Sequence, residues 1–145
     1  MGVMELCDYP PAAVSLEATA ADAVRLMLDL HVGAVTIVDT EKRVAGIFTE
    51  RDVLRKLSLS GRALETTPIK EVMTTPVELA SPDTTPGEAL STMVDRHFRH
   101  LPIADHQGKL LGTLSIRNVL QWRIDDLSSE LDALEQYVSN DGPGG

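Results

Sequence analysis

Residues 46–52 read Gly-Ile-Phe-Thr-Glu-Arg-Asp (GIFTERD), and residues 112–118 read Gly-Thr-Leu-Ser-Ile-Arg-Asn (GTLSIRN). Each is a glycine, a short mostly apolar run, a hydroxyl residue and, three positions on, a carboxylate or its amide. A hydroxyl followed by an acid at that spacing opens a helix. The hydroxyl accepts from the third backbone N–H, and the acid reaches back to the first. Sliding one stretch onto the other and working outward aligns Thr19–Leu57 with Thr85–Arg123 without a gap. Identities recur along the whole overlap, among them Ala23/Ala89, Met27/Met93, Asp29/Asp95, His31/His97, Ile37/Ile103, Asp39/Asp105, Gly46/Gly112 and Arg51/Arg117. Two copies are too few for a solenoid. They suit a pseudo-symmetric pair in which each half covers the apolar face the other cannot bury.

Each copy has the same grammar. Thr19 with Asp22, and Thr85 with Pro86 and Glu88, start a helix. Ala23, Met27 and Leu30 then follow at helical spacing, as do Ala89 and Met93. "GAVTIVD" (33–39) and "RHLPIAD" (99–105) alternate with period two, which places Val35 and Ile37, or Leu101 and Ile103, on one face of a strand. Polar turns at 40–42 and 106–108 lead to a second strand ("RVAGIF", "KLLGTL"), which runs into the helix opened by Thr49 or Ser115. A short strand candidate ("AAVSL", "PVELA") precedes each first helix. The expected unit is β-α-β-β-α, written twice: residues 1–62 hold repeat 1 with an N-terminal segment, 63–75 a linker with a short helix, and 76–123 repeat 2. Residues 124–138 extend the last helix, and 139–145 form a flexible tail.

Composition narrows the class of function. A chain of 145 residues that is 43% hydrophobic but only 3% aromatic packs its core with aliphatic side chains and methionine. Cys7 is the only cysteine, so no internal disulfide forms, and a reducing compartment is expected. No apolar run reaches the roughly 18–20 residues that span a bilayer, and "MGVMELCDYPP" lacks the parts of a secretory signal. The expectation is a cytoplasmic protein without a membrane role. A formal charge of −9 with no cluster of Lys and Arg argues against nucleic acid. An anionic ligand must then be small, enclosed and held by a few local donors.

With the repeat and both signatures in hand, the sequence resembles a tandem pair of CBS domains, a Bateman module, from about Ala12 to Arg123. "GIFTERD" fits that family's Gly-hydrophobic-x-Thr/Ser-x-x-Asp, "HLPIAD" its hydrophobic-Pro-hydrophobic-x-Asp strand, and "VMTTPVELASPDTT" its lead-in to a second domain. The resemblance implies an α+β fold in which two repeats pack sheet to sheet about a pseudo-twofold axis. A long C-terminal helix follows the second. It also implies two clefts for adenosine-containing ligands, with the signature Thr near phosphate or ribose and the Asp accepting from both ribose hydroxyls. Carried onto this chain, the first cleft comprises Ile47, Thr49 and Asp52, with Thr74 and Val77 from the lead-in and Phe98, Arg99, His100 and Pro102 from the opposite repeat. The second, weaker cleft comprises Gly33, Ala34, Thr113, Ser115 and Asn118. The same residue pairs, Thr49 with Asp52 and Ser115 with Asn118, also serve as plain helix caps.

Asn118 separates the two halves. An amide substitutes a neutral acceptor, half of it a donor, for a carboxylate. Charge-assisted hydrogen bonds contribute about 1.5–3 kcal/mol against about 1 kcal/mol for neutral ones. The exchange therefore weakens the second cleft by on the order of 1–2 kcal/mol, about 5- to 30-fold. Arg99 and His100 supply charge opposite Asp52, whereas Gly33 and Ala34 supply none opposite Asn118.

Other features have ordinary readings. His97 and His100 lack a third metal ligand, Cys7 lacks an activating neighbour, and no nucleophile–base pair suggests an enzyme. After the second signature, Leu120, Ile124, Leu127, Leu131, Leu134 and Val138 follow at spacings of 4, 3, 4, 3 and 4, a heptad seam. The seam is expected to meet another chain, most simply in a homodimer; the other possibility is a helix folded back on its own domain. The functional expectation is a regulatory module without a catalytic cofactor. It binds AMP, ADP, ATP or another adenosyl compound such as NAD or S-adenosylmethionine and transmits occupancy to a regulated protein. The alternative is a constitutive dimerisation scaffold with vestigial clefts.

Overall fold

In the computed structural model, which describes residues 2–140, the signature stretches lie where strand passes into helix. Chain order is α1 (Val3–Leu6), β1 (Ala13–Ser15), α2 (Ala20–Leu30), β2 (Ala34–Val38), β3 (Val44–Thr49) and α3 (Glu50–Asp52). A π-helical turn (Val53–Leu57) continues α3, and two 3-10 turns (Leu64–Thr66 and Ile69–Glu71) follow. The second half holds α4 (Pro86–Arg96), β4 (His100–Ala104), β5 (Leu110–Ser115) and α5 (Ile116–Asn140). The tail expected to be flexible lies largely outside the described residues.

Local chemistry explains the match between the halves. Thr19 caps α2 in a full capping box with Asp22, and Thr85 caps α4 ahead of Pro86. Both helices end on a histidine in the left-handed region, His31 at φ 56° and His97 at φ 59°, each capping through its backbone N–H. In the β2–β3 turn the Asp39 carboxylate accepts from the N–H groups of Glu41 and Arg43, both at 2.9 Å. Asp105 does the same for Gln107 and Lys109 at 2.8 and 3.0 Å.

The first sheet is three-stranded, β1-β2-β3, with β1 parallel and β3 antiparallel to β2. The second has only the antiparallel pair β4-β5. The strand expected at "PVELA" shrinks to a single bridge between Ala80 and Ile103. Pro102 is the reason. In the first half the Thr36 N–H donates to the Ala12 carbonyl at 2.9 Å; Pro102 occupies the equivalent place and has no N–H to give.

Two cores form, and each is closed by a segment from elsewhere in the chain. Ile69 and Val72 pack with Ala23, Met27, Val35, Ile37 and Phe48 of the first half. Val3 packs with Ala89, Met93, Leu101, Ile103 and Leu114 of the second, with Leu6 and Cys7 beside it. Val3 and Ile69 are both fully buried. The repeat therefore reaches upstream to Val3, and each lead-in serves the half it does not precede. The glycines of the two signatures permit this close approach. A Cβ on Gly46 would collide with the Met73 side chain, and one on Gly112 would lie 2.6 Å from Cys7 Sγ.

The opposite faces of the two sheets meet each other. Ala34, Thr36 and Val38 from β2 and Pro102, Ala104 and Thr113 from β4 and β5 are all buried although they point away from the two cores. The hairpins also join at their tips, where Val44 N–H donates to Gly108 O and Leu110 N–H to Lys42 O, each at 3.0 Å.

Candidate functional site: two unequal clefts

At the end of β3 the chain turns from extended Thr49 into α3, and Asp52 is 6% exposed. Its Oδ2 accepts from the Thr49 N–H at 3.0 Å and from the Thr49 hydroxyl at 3.3 Å. Its Oδ1 accepts from the Thr74 hydroxyl at 2.9 Å and pairs with Lys56 Nζ at 3.1 Å. Four donors meet a group with about four acceptor positions. Thr74 is held there by the backbone, since Ile47 N–H donates to Thr74 O at 3.0 Å and Thr74 N–H to Ile47 O at 2.7 Å. Lys56 also donates to the carbonyls of Val72 and Met73 at 2.9 and 3.2 Å, which ties the lead-in to the signature helix.

The second cleft keeps the cap and inverts the chemistry. Ser115 Oγ accepts from the Asn118 N–H at 3.2 Å. Asn118 Nδ2 then donates to Leu6 O at 2.9 Å and to Asp8 Oδ1 at 3.2 Å. Asp8 sits in the place of Thr74, bridged by its backbone to Thr113 as Thr74 is to Ile47. The carboxylate is thus present in both halves, on the signature helix in the first and on the lead-in in the second. Asp8 lies upstream of the gap-free repeat that begins at Thr19, and so outside the predicted clefts. Continued upstream, the repeat pairs Glu5 with Glu71, Pro10 with Pro76 and Ser15 with Ser81, and so Asp8 with Thr74.

The other predicted residues fall in distinct places. His100, at the start of β4 opposite Ser115, stands close to Gly33 and Glu50; a Cβ on Gly33 would lie 3.3 Å from Glu50 Oε1 and 3.5 Å from His100 Cε1. Burial pushes the His100 imidazole below its ordinary pKa, opposed by Asp8 and Glu50 and assisted by Arg99. Arg99 is exposed, and its carbonyl accepts from Ile116 N–H at 2.8 Å. Phe98 lies under the Arg96 guanidinium, 5.9 Å from ring centre to charge. Val77 is half-buried, and Ala34 and Pro102 lie between the sheets. Among the described residues, no hydrogen bond or ion pair joins Phe98, Arg99 or His100 to Asp52.

Thr113, 8% exposed, has a buried hydroxyl without a hydrogen-bond partner among the described residues. An unpaired buried hydroxyl costs about 1–3 kcal/mol. Thr113→Val keeps the shape and removes the group, so it is expected to raise stability by about 1 kcal/mol. A urea midpoint lower than the parent's would show instead that the hydroxyl has a partner in solution.

A protein-family model, the CBS domain, matches this chain twice, at residues 3–59 and 69–125, with the same upstream reach as the structural repeat. The mitochondrial CBS domain-containing protein CBSX3 of Arabidopsis thaliana is 34% identical over 124 residues, covering 83% of this chain. The chain spans 63%, 60% and 53% of the length of three curated relatives it matches, CBSX3 being the second. Among solved structures, a protein with CBS domains from Burkholderia ambifaria superposes with a TM-score of 0.76 at 32% identity, over 87% of this chain and 96% of its own. A CBS domain protein from Pyrobaculum aerophilum complexed with AMP gives 0.73 at 24% identity, over 81% and 89%. No helix among the described residues is long and apolar enough to cross a membrane. With both halves matched and the fold shared, this chain belongs to the CBS domain family, as a tandem pair of such domains.

Proposed function

We propose that this CBS pair is a regulatory, non-catalytic module of a reducing, cytoplasm-like compartment, and that it binds an adenosine-containing nucleotide in the cleft built on Asp52. One observation carries the reading. A buried carboxylate is fixed on both sides, by the Thr49 cap and by Thr74 from the other half's lead-in, with its Oδ1 held only by a hydroxyl and an ammonium on exposed residues. Two ribose hydroxyls replace those two donors at Oδ1, leaving the Thr49 cap on Oδ2 and the backbone in place. Lys56, once displaced, joins Arg99 as a cation available to phosphate, and the His100 imidazole, kept neutral by burial, is left to hydrogen-bond. The AMP bound by the Pyrobaculum relative supports the ligand class.

A ligand that bridges lead-in and signature favours one relative orientation of the halves, because only differential contact shifts a conformational balance. The lever is α5, whose 25 residues extend about 37 Å from the Asn118 cleft toward a second copy or a regulated protein. The full internal satisfaction of Asp52 supports the runner-up, a constitutive dimerisation scaffold. Thermal shift separates the two. Any of AMP, ADP, ATP, NAD or S-adenosylmethionine at 100 times its Kd adds about 2.7 kcal/mol, or roughly 5–10 °C for a chain of this size. Asp52→Asn, weaker by about 5- to 30-fold, is expected to cut that rise to about 1–2 kcal/mol at the same ligand concentration. If none of the five moves the parent's midpoint, the scaffold reading replaces the sensor.

A further inference from the structure

The outward face of α5 is apolar and uncovered. Leu120, Ile124, Leu127, Leu131, Leu134 and Val138 are 43–64% exposed. The opposite side of the helix is the side that docks, with Val119 fully buried and Trp122 packed against the second core. The seam therefore points away from its own domain along its whole length.

The charges beside the seam select what covers it. On one flank, just before the seam residues Ile124, Leu131 and Val138, stand Arg123, Glu130 and Tyr137. On the other, just after Leu120, Leu127 and Leu134, stand Gln121, Ser128 and Glu135. In a parallel helix pair the two flanks face each other, so Glu130 meets Glu135 of the partner subunit twice. In an antiparallel pair each flank meets its own kind. With Ile124 layered on Leu127 of the partner subunit and Leu131 on Leu120 of the partner subunit, Arg123 meets Glu130 of the partner subunit, twice by symmetry. A shift of one heptad pairs all six seam residues, but it sets Glu130 against Glu130 of the partner subunit and leaves Arg123 opposite Tyr137 of the partner subunit. The first antiparallel register pairs four of the six seam residues with one another and is the one that joins opposite charges, twice. Arg123 is free to take part, since its present partner is the exposed Asp126 of the same helix, at 3.0 Å.

We infer that α5 pairs with α5 of a second copy of this chain, antiparallel, in the register that joins Arg123 to Glu130 of the partner subunit. The inference rests on the dimer part of the proposed function and not on its nucleotide. Its test is run without ligand, so a failed nucleotide shift leaves it standing.

The experiment is sedimentation equilibrium of the full chain with Arg123→Glu, Glu130→Arg and the double exchange. The parent is expected to dimerise. Each single variant sets like charges together twice and weakens the dimer by about tenfold, and the double variant returns to within about threefold of the parent. Mixed in equal amounts, the two single variants form the heterodimer, because each then meets its complement at both contacts. Helicity by circular dichroism, unchanged in all three, separates lost pairing from lost folding. A tighter dimer from Glu130→Arg alone would establish the parallel arrangement. No effect of Arg123→Glu would establish the shifted register. A parent monomeric at every concentration would leave the seam to a different protein. Each of these three results overturns the inference.

Discussion

Asp52→Ala is expected to lower the melting temperature by about 5–15 °C before any ligand is added. The carboxylate receives the Thr49 N–H, the Thr49 and Thr74 hydroxyls and the Lys56 ammonium, while itself being 6% exposed. Removing one partner from a buried hydrogen bond leaves the other to bear its desolvation, about 1–3 kcal/mol for a neutral group and more for a charged one. Lys56 is only partly buried and recovers water, which limits its share. The sum is about 2–4 kcal/mol, with each kcal/mol worth about 2–4 °C at this chain length. Asp52→Asn keeps an acceptor for the Thr49 N–H but loses the charge and one acceptor. Its amide N–H turns to the Thr74 hydroxyl and away from Lys56, so it should fall by about half as much or somewhat more. The pair of variants thus parts two roles of one side chain. Calorimetry of both gives the structural term, and titration of the Asn variant with nucleotide gives the binding term free of unfolding. An Ala variant that melts with the parent would show that the four contacts contribute nothing net.

What could be seen in the sequence follows the range of the forces involved. Capping, strand alternation and turn chemistry act over a few residues, so Thr19 with Asp22, Thr49 with Asp52, and Asp39 and Asp105 at their turns were all legible. The same short-range logic could have shortened the second sheet, because Pro102 announces a missing N–H in the middle of its strand. The exchanged lead-ins were not legible. Nothing local distinguishes a Val3 that packs on Leu101 from one that packs on Val35; that choice is made by the shape of two half-formed cores. Asp8 was hidden for a related reason. It works across 110 residues of chain, on Asn118, and only its symmetry with Thr74 points to it. The sequence-level asymmetry between Asp52 and Asn118 is real, but the charge that left the signature helix reappears on the lead-in.

Because the lead-ins are exchanged, Ile69→Ala and Val3→Ala are expected to loosen the halves that lie away from them in the chain order. Ile69 precedes repeat 2 yet is fully buried against Met27, Val35 and Phe48 of repeat 1. Truncating a buried isoleucine to alanine costs about 2–5 kcal/mol, through lost transfer energy and the cavity left behind. Val3, with fewer carbons, should cost about 2–3 kcal/mol at roughly 0.8 kcal/mol per buried methylene plus its cavity. Both would lower the melting temperature by about 5–15 °C, and that alone would not reveal where the damage lies. Amide hydrogen exchange does, since sub-global opening reports on the unit that lost its packing. Ile69→Ala should speed exchange first in Ala34–Val38 and Val44–Thr49, and Val3→Ala first in His100–Ala104 and Leu110–Ser115. The opposite assignment would mean that each lead-in packs on its own repeat. It would also withdraw Thr74 from Asp52 and Asp8 from Asn118, because the segment that carries each core residue also delivers the polar group to the cleft. Stability of one half and geometry of its cleft are thus set by the same few residues of the other, which gives a ligand held between lead-in and signature a direct grip on both.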